Sequence, residues 1–377
     1  MSDGHRVIPI LASSFERRKA SRPSPRSHSA GQVVNPVHDQ LGRPMTDLRI
    51  SVIDQCNLRC SYCMPKEVFN KDYAFLPREA LLSFEEIERL VKAFIPLGIR
   101  KLRITGGEPL LRKSVEEVIA RLAQLRTPQG LPLEIALTTN GMLLEQKAAA
   151  LKAAGLKRVT VSLDALEPAL FRELAGVETG EPEQVLRGVA AARALGLEVK
   201  VNMVVQKGVN DHQILSMAKA FRETGDTLRF IEFMDVGNAN QWQLDQVVSA
   251  QDILETLGSQ FKFRPVDRAK KHDVAERFVY EDNAVEFGVI ASITRPFCSD
   301  CSRARISSEG LLYTCLFANS GTDLRAVLRS STTEEELTSI VQDIWLQRQD
   351  RYSELRQALS RTPSKERAKV EMSYIGG

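Results

Sequence analysis

Cysteine and histidine are scarce in this chain, and long apolar runs are missing. Six cysteines and five histidines occur among 377 residues. No uninterrupted apolar stretch approaches the ~18 residues that a membrane-spanning helix requires. The N-terminus also lacks the apolar core of a secretory signal, so folding in an aqueous compartment is expected. Positive charge is thin outside one segment. The formal net charge is +3, and in the first 31 residues Arg6, Arg17, Arg18, Lys19, Arg22 and Arg26 face only Asp3 and Glu16. The remainder is nearly neutral, which argues against the broad basic face of a nucleic-acid binder. The segment RRKASRPSPRSHSAGQ is rich in Arg, Ser and Pro, and residues 1–46 are expected to be a disordered basic extension. An organelle transit peptide has similar composition and stays open as a reading.

The cysteines that are present fall into two groups. Cys56, Cys60 and Cys63 lie in CNLRCSYC, and Cys298, Cys301 and Cys315 in CSDCSRARISSEGLLYTC. Clustered thiols in a large chain with no secretion signal point to metal ligands rather than disulfides. A structural zinc wants four ligands, commonly as two close pairs. The histidine-poor body offers only His212 and His272 to complete either set. A [4Fe–4S] cluster on three thiolates would instead keep one iron open to a small molecule.

Between the groups, β-branched apolar runs alternate with helix-periodic stretches. Strands are expected at 48–54, 101–106, 133–140, 158–164, 199–206 and 228–235. SFEEIERLVKAFIPLG, SVEEVIARLAQL, EQKAAALKAAG, EPEQVLRGVAAARALG and DHQILSMAKAFRETG read as the intervening helices, several opening on Ser, Glu or Asp and closing on Gly. Pro96 should break the last turn of the first. Recurring βα units imply an α/β fold of parallel strands in an open or closed barrel. Its functional groups should gather at the C-terminal strand ends. CNLRCSYC, GGEP, TNG, SLD and EFMDVGN all follow strands and so belong to that rim. Past residue 240 the rhythm fades into two hairpins, the second turning at Glu309-Gly310, and two helical stretches.

The CX3CX2C trio after a first βα strand, followed by TGGEP, resembles the radical S-adenosylmethionine (SAM) superfamily. From Leu48 to Gly377 the ordered motifs DLRISVIDQCNLRCSYCMP, LRITGGEPLLR, TTNG, VSLD, QKGVND, RFIEFMDVGN, PFCSDCSRARIS, LYTCLFA and SYIGG resemble the GTP 3′,8-cyclases of molybdenum cofactor biosynthesis. The resemblance implies a partial (βα)6 TIM-like barrel over 47–240 and a smaller α+β domain over 241–377. It implies two [4Fe–4S] clusters, one on Cys56, Cys60 and Cys63 and a second on Cys298, Cys301 and Cys315. It also implies SAM contacts at Tyr62, Gly107, Ser162 and Met234, and GTP contacts at Arg49, Arg103, Thr138, Lys200, Arg303 and Arg305. A catalytic part falls to Arg303, Arg305 and the terminal Gly376 and Gly377.

The implied chemistry is abstraction of the GTP C3′ hydrogen by a 5′-deoxyadenosyl radical, then C3′–C8 bond formation to 3′,8-cyclo-7,8-dihydro-GTP. The product would pass to cyclic pyranopterin monophosphate synthase. Electrons would come from a reductant protein such as flavodoxin or ferredoxin. No nucleic acid or membrane partner is implied, and a homodimer stays open. Location is expected to be cytoplasmic, an organelle matrix serving equally. One departure is Gln55, where the family commonly has Arg. The nearest rival is a radical SAM enzyme acting on a peptide or another metabolite. A zinc-stabilised binding protein is the rival from another class.

Overall fold

The computed structural model describes residues 36–267, 273–359 and 369–376. All six expected strands form: β1 (Asp47–Ser51), β2 (Lys101–Thr105), β3 (Glu134–Thr139), β4 (Arg158–Ser162), β5 (Glu198–Val205) and β6 (Thr227–Glu232). Around them run α1 (Phe84–Phe94), α2 (Val115–Ala123), α3 (Leu144–Ala153), α4 (Pro168–Ala175), α5 (Pro182–Ala194) and α6 (Ile214–Thr224). Helix α1 opens on a capping box in which Ser83 Oγ accepts from the Glu86 N–H while the Glu86 carboxylate accepts from the Ser83 N–H. It ends at Phe94, where Pro96 tightens the chain into a 3-10 turn, as its position predicts. Ile87, Leu90, Val91 and Phe94 bury one face of it. Each such side chain contributes on the order of 1.5–3 kcal/mol.

The later chain contains α7 (Ala250–Gly258), β7 (Phe263–Val266), β8 (Glu276–Tyr280), β9 (Glu286–Ile290), β10 (Arg303–Ile306), β11 (Leu311–Tyr313) and β12 (Thr322–Asp323). It closes with α8 (Leu324–Leu328), α9 (Glu334–Leu346), α10 (Tyr352–Leu359) and α11 (Met372–Ile375). Both expected hairpins form: β8 pairs β9 and β10 pairs β11, each antiparallel, with Gly310 at φ +95° in the second turn.

These strands do not build a sheet of their own. The sheet order is β12-β11-β10-β1-β2-β3-β4-β5-β6-β9-β8-β7. From β10 through β1–β6 to β9 every pairing is parallel. The smaller region expected over 241–377 thus shares the barrel's sheet, and residue 240 marks no break in it. The physical reason is edge capping. A six-stranded partial barrel would leave the ladder groups of β1 and β6 unpaired, and β10 and β9 satisfy them.

The expected disordered extension is corrected over residues 36–46; its remainder, residues 1–35, lies outside the described residues. Val37 N–H donates to Leu97 O at 2.9 Å and Met45 is fully buried. Arg43, also fully buried, pairs with Asp39 at 2.6 Å. Its carbonyl accepts from the Trp345 indole at 3.1 Å. The Arg- and Pro-rich composition belongs to the preceding residues, whereas this stretch has its own apolar and ion-pair anchors.

Among the described residues no helix is long and apolar enough to cross a membrane.

Candidate active site

Along β1, β2 and β10 the apolar residues Leu48, Ile50, Leu102, Ile104, Ala304 and Ile306 are buried, while Arg49, Arg103 and Arg305 between them line an interior cavity. Parallel register puts Arg305, Arg49 and Arg103 side by side as one rung. A barrel of this kind normally fills such positions with branched apolar side chains. Arginines there leave the interior polar and hollow.

The charges of that rung are poorly compensated. Burial, with Arg305, Arg103 and Arg303 close by, holds the Arg49 guanidinium well below its usual range. Burial and Arg303 bring Arg305 down to about 10. Arg229, on β6, is brought down to about 9 by burial and by Arg103 and Arg158. The Nε atoms of Arg49, Arg103 and Arg229 find no hydrogen-bond partner among the described residues. Buried cations and unused donors in this number fit a multiply charged anion. Arg103 Nη1 reaches Thr138 Oγ1 at 3.3 Å, which places the expected Thr138 on the same wall.

Cys56, Cys60 and Cys63 reach the cavity from the loop beyond the C-terminal end of β1. Helix α4, which strand and helix periodicity did not predict, forms the bed of that loop. Arg59 N–H donates to Ala175 O at 2.7 Å and Ser61 N–H to Leu174 O at 3.2 Å. The Arg59 guanidinium ties the loop to itself through the carbonyls of Cys56 (2.7 Å), Leu58 (2.8 Å) and Phe69 (2.7 Å). The second-motif glycines serve this loop directly. Gly107 N–H donates to Ile53 O at 2.8 Å, and a Cβ on Gly107 would lie 2.3 Å from Gln55 O. Only glycine tolerates that approach.

Glu108 then joins the GGEP turn to the β3 rim, accepting from Leu110 N–H (3.0 Å), Thr139 Oγ1 (2.8 Å) and Asn140 N–H (2.7 Å). Burial nevertheless pushes its carboxyl up to about 7. Tyr62 Oη donates to Asp164 at 2.8 Å, and burial raises Asp164 to about 6. Ser162 and Met234 line the same cavity.

Cys298 and Cys301 precede β10, and Cys315 follows the antiparallel β11. Since β10 runs parallel to β1, this second group lies at the opposite end of the strands from the first, although both line one cavity. Burial and Asp350 raise the Cys315 thiol to about 11, whereas the surroundings of Cys301 are cationic. Arg348 Nη2 approaches Cys301 Sγ at 3.3 Å and Arg303 Nη2 does so at 3.4 Å. Arg348 also donates to Cys301 O at 2.7 Å, and Arg43 to Cys298 O at 3.0 Å. Burial raises the Cys301 thiol, but Arg303 and Arg348 outweigh it and bring it to about 6.

In the first group burial dominates. Cys56 rises to about 11, Cys60 rises well above its ordinary value, and Cys63 rises as well. Among the described residues no three His, Cys, Asp or Glu side chains converge tightly enough for a single metal ion. A cubane ligated at three separate irons spreads its thiolates wider than a mononuclear ion does, and all six cysteines are free thiols facing the cavity. The residues present therefore fit iron–sulfur clusters.

The last described segment borders the same cavity, with Met372 and Ser373 on its wall. Gly376 is buried, its carbonyl accepts from Arg305 Nη1, and its φ is +73°. A Cβ there would lie 2.1 Å from Thr105 Cγ2. Gly377 lies outside the described residues. Lys200, near the start of β5, is not among the residues lining the cavity, and its ammonium pairs with Glu198 at 2.8 Å. Sequence reading missed Arg229, Asn202, Asp164, Arg43 and Arg348, all on the cavity wall. Arg229 shows the same signal as Arg49 and Arg103, a cation between apolar strand residues. Arg348, at the end of a helix distant in sequence, shows none.

Residues 50–221 match the family model of the radical SAM superfamily, and residues 226–354 match that described as Molybdenum Cofactor Synthesis C. A protein of Acidothermus cellulolyticus named GTP 3′,8-cyclase is 47% identical over 369 residues, covering 92% of this chain and 100% of its own length. A Staphylococcus aureus protein of that name is 45% identical over 346 residues, with the same coverage of both chains. Among solved structures, Streptococcus suis SuiB bound to S-adenosylmethionine superposes with a TM-score of 0.58 at 15% identity, covering 86% of this chain and 70% of that one. That likeness shows the barrel fold alone. With full-length relatives at this identity and both cysteine groups facing one arginine-lined cavity, the chain belongs to the GTP 3′,8-cyclase family of radical SAM enzymes.

Proposed function

We propose that this chain is a GTP 3′,8-cyclase that opens molybdenum cofactor biosynthesis. The C3′ hydrogen of GTP passes to a 5′-deoxyadenosyl radical, C3′ joins guanine C8 as the C8–N7 double bond opens, and one electron from the reductant with one proton gives 3′,8-cyclo-7,8-dihydro-GTP. The observation that carries this reading is the rung Arg305–Arg49–Arg103 between two cysteine groups at opposite strand ends. When bound at Cys56, Cys60 and Cys63, a [4Fe–4S] cluster with SAM supplies the radical that starts the reaction.

The chain's own residues bind and orient. We assign SAM to Gly107, Ser162, Met234 and Tyr62, with Asp164 holding the Tyr62 hydroxyl. The triphosphate is assigned to Arg49, Arg103 and Thr138, to which Arg229 and Asn202 on the same wall are added. Lys200 lies two residues before Asn202 on one strand face and reaches a phosphate only by leaving Glu198. Cys298, Cys301 and Cys315 would hold a second [4Fe–4S] cluster, which would supply an anchor for the guanine base. Arg303 and Arg305 supply positive charge between that base and the terminal glycines. A small reductant protein such as flavodoxin or ferredoxin, cyclic pyranopterin monophosphate synthase as recipient of the product, and a cytoplasmic location complete the proposal.

The test is an anaerobic assay of the reconstituted protein with SAM, dithionite and GTP deuterated at C3′. Deuterium in 5′-deoxyadenosine together with a cyclised nucleotide is the expected outcome. SAM cleavage without label transfer would overturn the substrate assignment in favour of a peptide or another metabolite.

A further inference from the structure

Asp235 directly follows Met234 on the loop leaving β6. Its carboxylate accepts from Tyr352 Oη at 2.6 Å, Arg356 Nε at 2.9 Å and Lys369 Nζ at 2.9 Å, and its backbone carbonyl accepts from Lys369 Nζ at 2.6 Å. Tyr352 and Arg356 lie on α10, while Lys369 begins the terminal described segment. The Lys369 ammonium also sits over the rings of Tyr352 (4.5 Å) and Phe317 (5.4 Å), which stack on each other. Two adjoining contacts hold the same stretch. Val370 N–H donates to Ala318 O at 2.9 Å, and Glu371 accepts from Asn238 N–H at 2.9 Å.

The terminal segment is therefore gripped at both ends. Residues 369–371 are pinned to the β6 loop and to the loop that follows Cys315. At the other end Ile375 is fully buried and Gly376 O meets Arg305. The side chains of Asp235 and Lys369 are both 12% exposed, so their attraction is screened far less than that of a surface pair. Only the four-residue α11 and Gly376 separate Glu371 from Arg305. A chain this short passes a shift at its anchor directly to the glycine.

We propose that Asp235 is a positioning residue for GTP cyclisation: by clamping Lys369 it sets the register in which Gly376 meets Arg305 and Thr105. This rests on the reading that the terminal glycines take part in the reaction. Asp235 is not on the cavity wall, although its neighbours Met234 and Val236 are, and it acts through the tail.

The test uses full-length reconstituted holoenzyme carrying Asp235→Ala, Lys369→Met or Lys369→Arg. Hydrogen–deuterium exchange over residues 369–376 is read beside cyclised product, GTP KM and iron content. Loss of the clamp is expected to speed exchange in the tail and to lower product turnover, each by about tenfold, with GTP KM within about twofold of wild type and iron unchanged. Lys369→Arg, which keeps the charge, should restore both. Unchanged tail exchange in Asp235→Ala, or lost turnover without faster exchange, would overturn the proposal. A chain ending at Ile375 separates the two levels. If that truncation is fully active, the reading of the glycines itself fails. If it is inactive while Asp235→Ala is fully active, the clamp alone fails.

Discussion

The first cysteine group is assembled within eight consecutive residues, 56–63, whereas the second needs a hairpin to carry Cys315 back to Cys298 and Cys301. Their electrostatics diverge as well. Near the first group lie the carboxyls of Glu108, Asp164 and Glu371, and burial raises its thiols. At the second, Arg303 and Arg348 both reach one sulfur. Net charge and hydrogen bonds to sulfur are among the factors that set iron–sulfur potentials. Uncompensated negative charge favours giving up an electron, and cations at sulfur disfavour it. The difference teaches that two equal ligand sets can place sulfurs in unlike fields, which is what the proposed division between electron transfer and substrate holding calls for.

The strongest way to break this comparison is to remove one ligand from each group. Cys56→Ala should abolish SAM cleavage, while Cys315→Ala should keep uncoupled cleavage and form no cyclised GTP. Equal loss of both reactions, followed by chromatography of 5′-deoxyadenosine and nucleotide products, would argue against separate roles.

A sharper probe targets charge alone. Arg348→Met leaves buried Asp39 with Arg43 as its remaining cation and removes a cation 3.3 Å from Cys301 Sγ. Losing the Arg348 hydrogen bonds to Cys301 O and Asp39 should cost about 1–3 kcal/mol in denaturant unfolding. In redox titration the second cluster should move to a lower potential while the first stays in place, and equal shifts would contradict the division.

The smallest effect belongs to Glu108, the strut of the first group. Burial raises its pKa from 4.5 to about 7, so the folded state holds the proton more tightly than the unfolded chain. That contribution is complete below pH 4.5 and lost as pH rises through about 7. Glu108→Gln should therefore flatten the change in stability of the cluster-free chain between about pH 5 and 8. It should also cost about 1–3 kcal/mol, because an amide N–H replaces an acceptor facing Leu110, Thr139 or Asn140. An unchanged slope would remove Glu108 as the titrating group.

Much of the barrel was legible because its signals are local. Short β-branched apolar runs placed β1 to β6, and Ser83 and Pro96 bounded α1 at both ends. The overlooked α4 has its own signals, Pro168 at the start and Gly176 at the end, but it follows closely on SLD and is short. The first cysteine loop and the inward arginines of β1 and β2 could be read in the same way. Lys200 is less legible: strand periodicity gives its side chain's face, but its 2.8 Å pairing with Glu198 is seen only in the folded chain.

The sequence by itself determined the parallel αβ order, the two thiol groups and the places of Arg49 and Arg103 on their strands, since each depends on spacing within one segment. Only the tertiary structure decided that β9 and β10 cap both barrel edges and that the thiol groups occupy opposite strand ends. It alone joined Arg348 to Cys301 and Asp235 to Lys369. Those arrangements depend on residues separated by tens to hundreds of positions, and only the closing of the sheet and the docking of the tail bring such residues within the few ångströms over which hydrogen bonds and buried charges act.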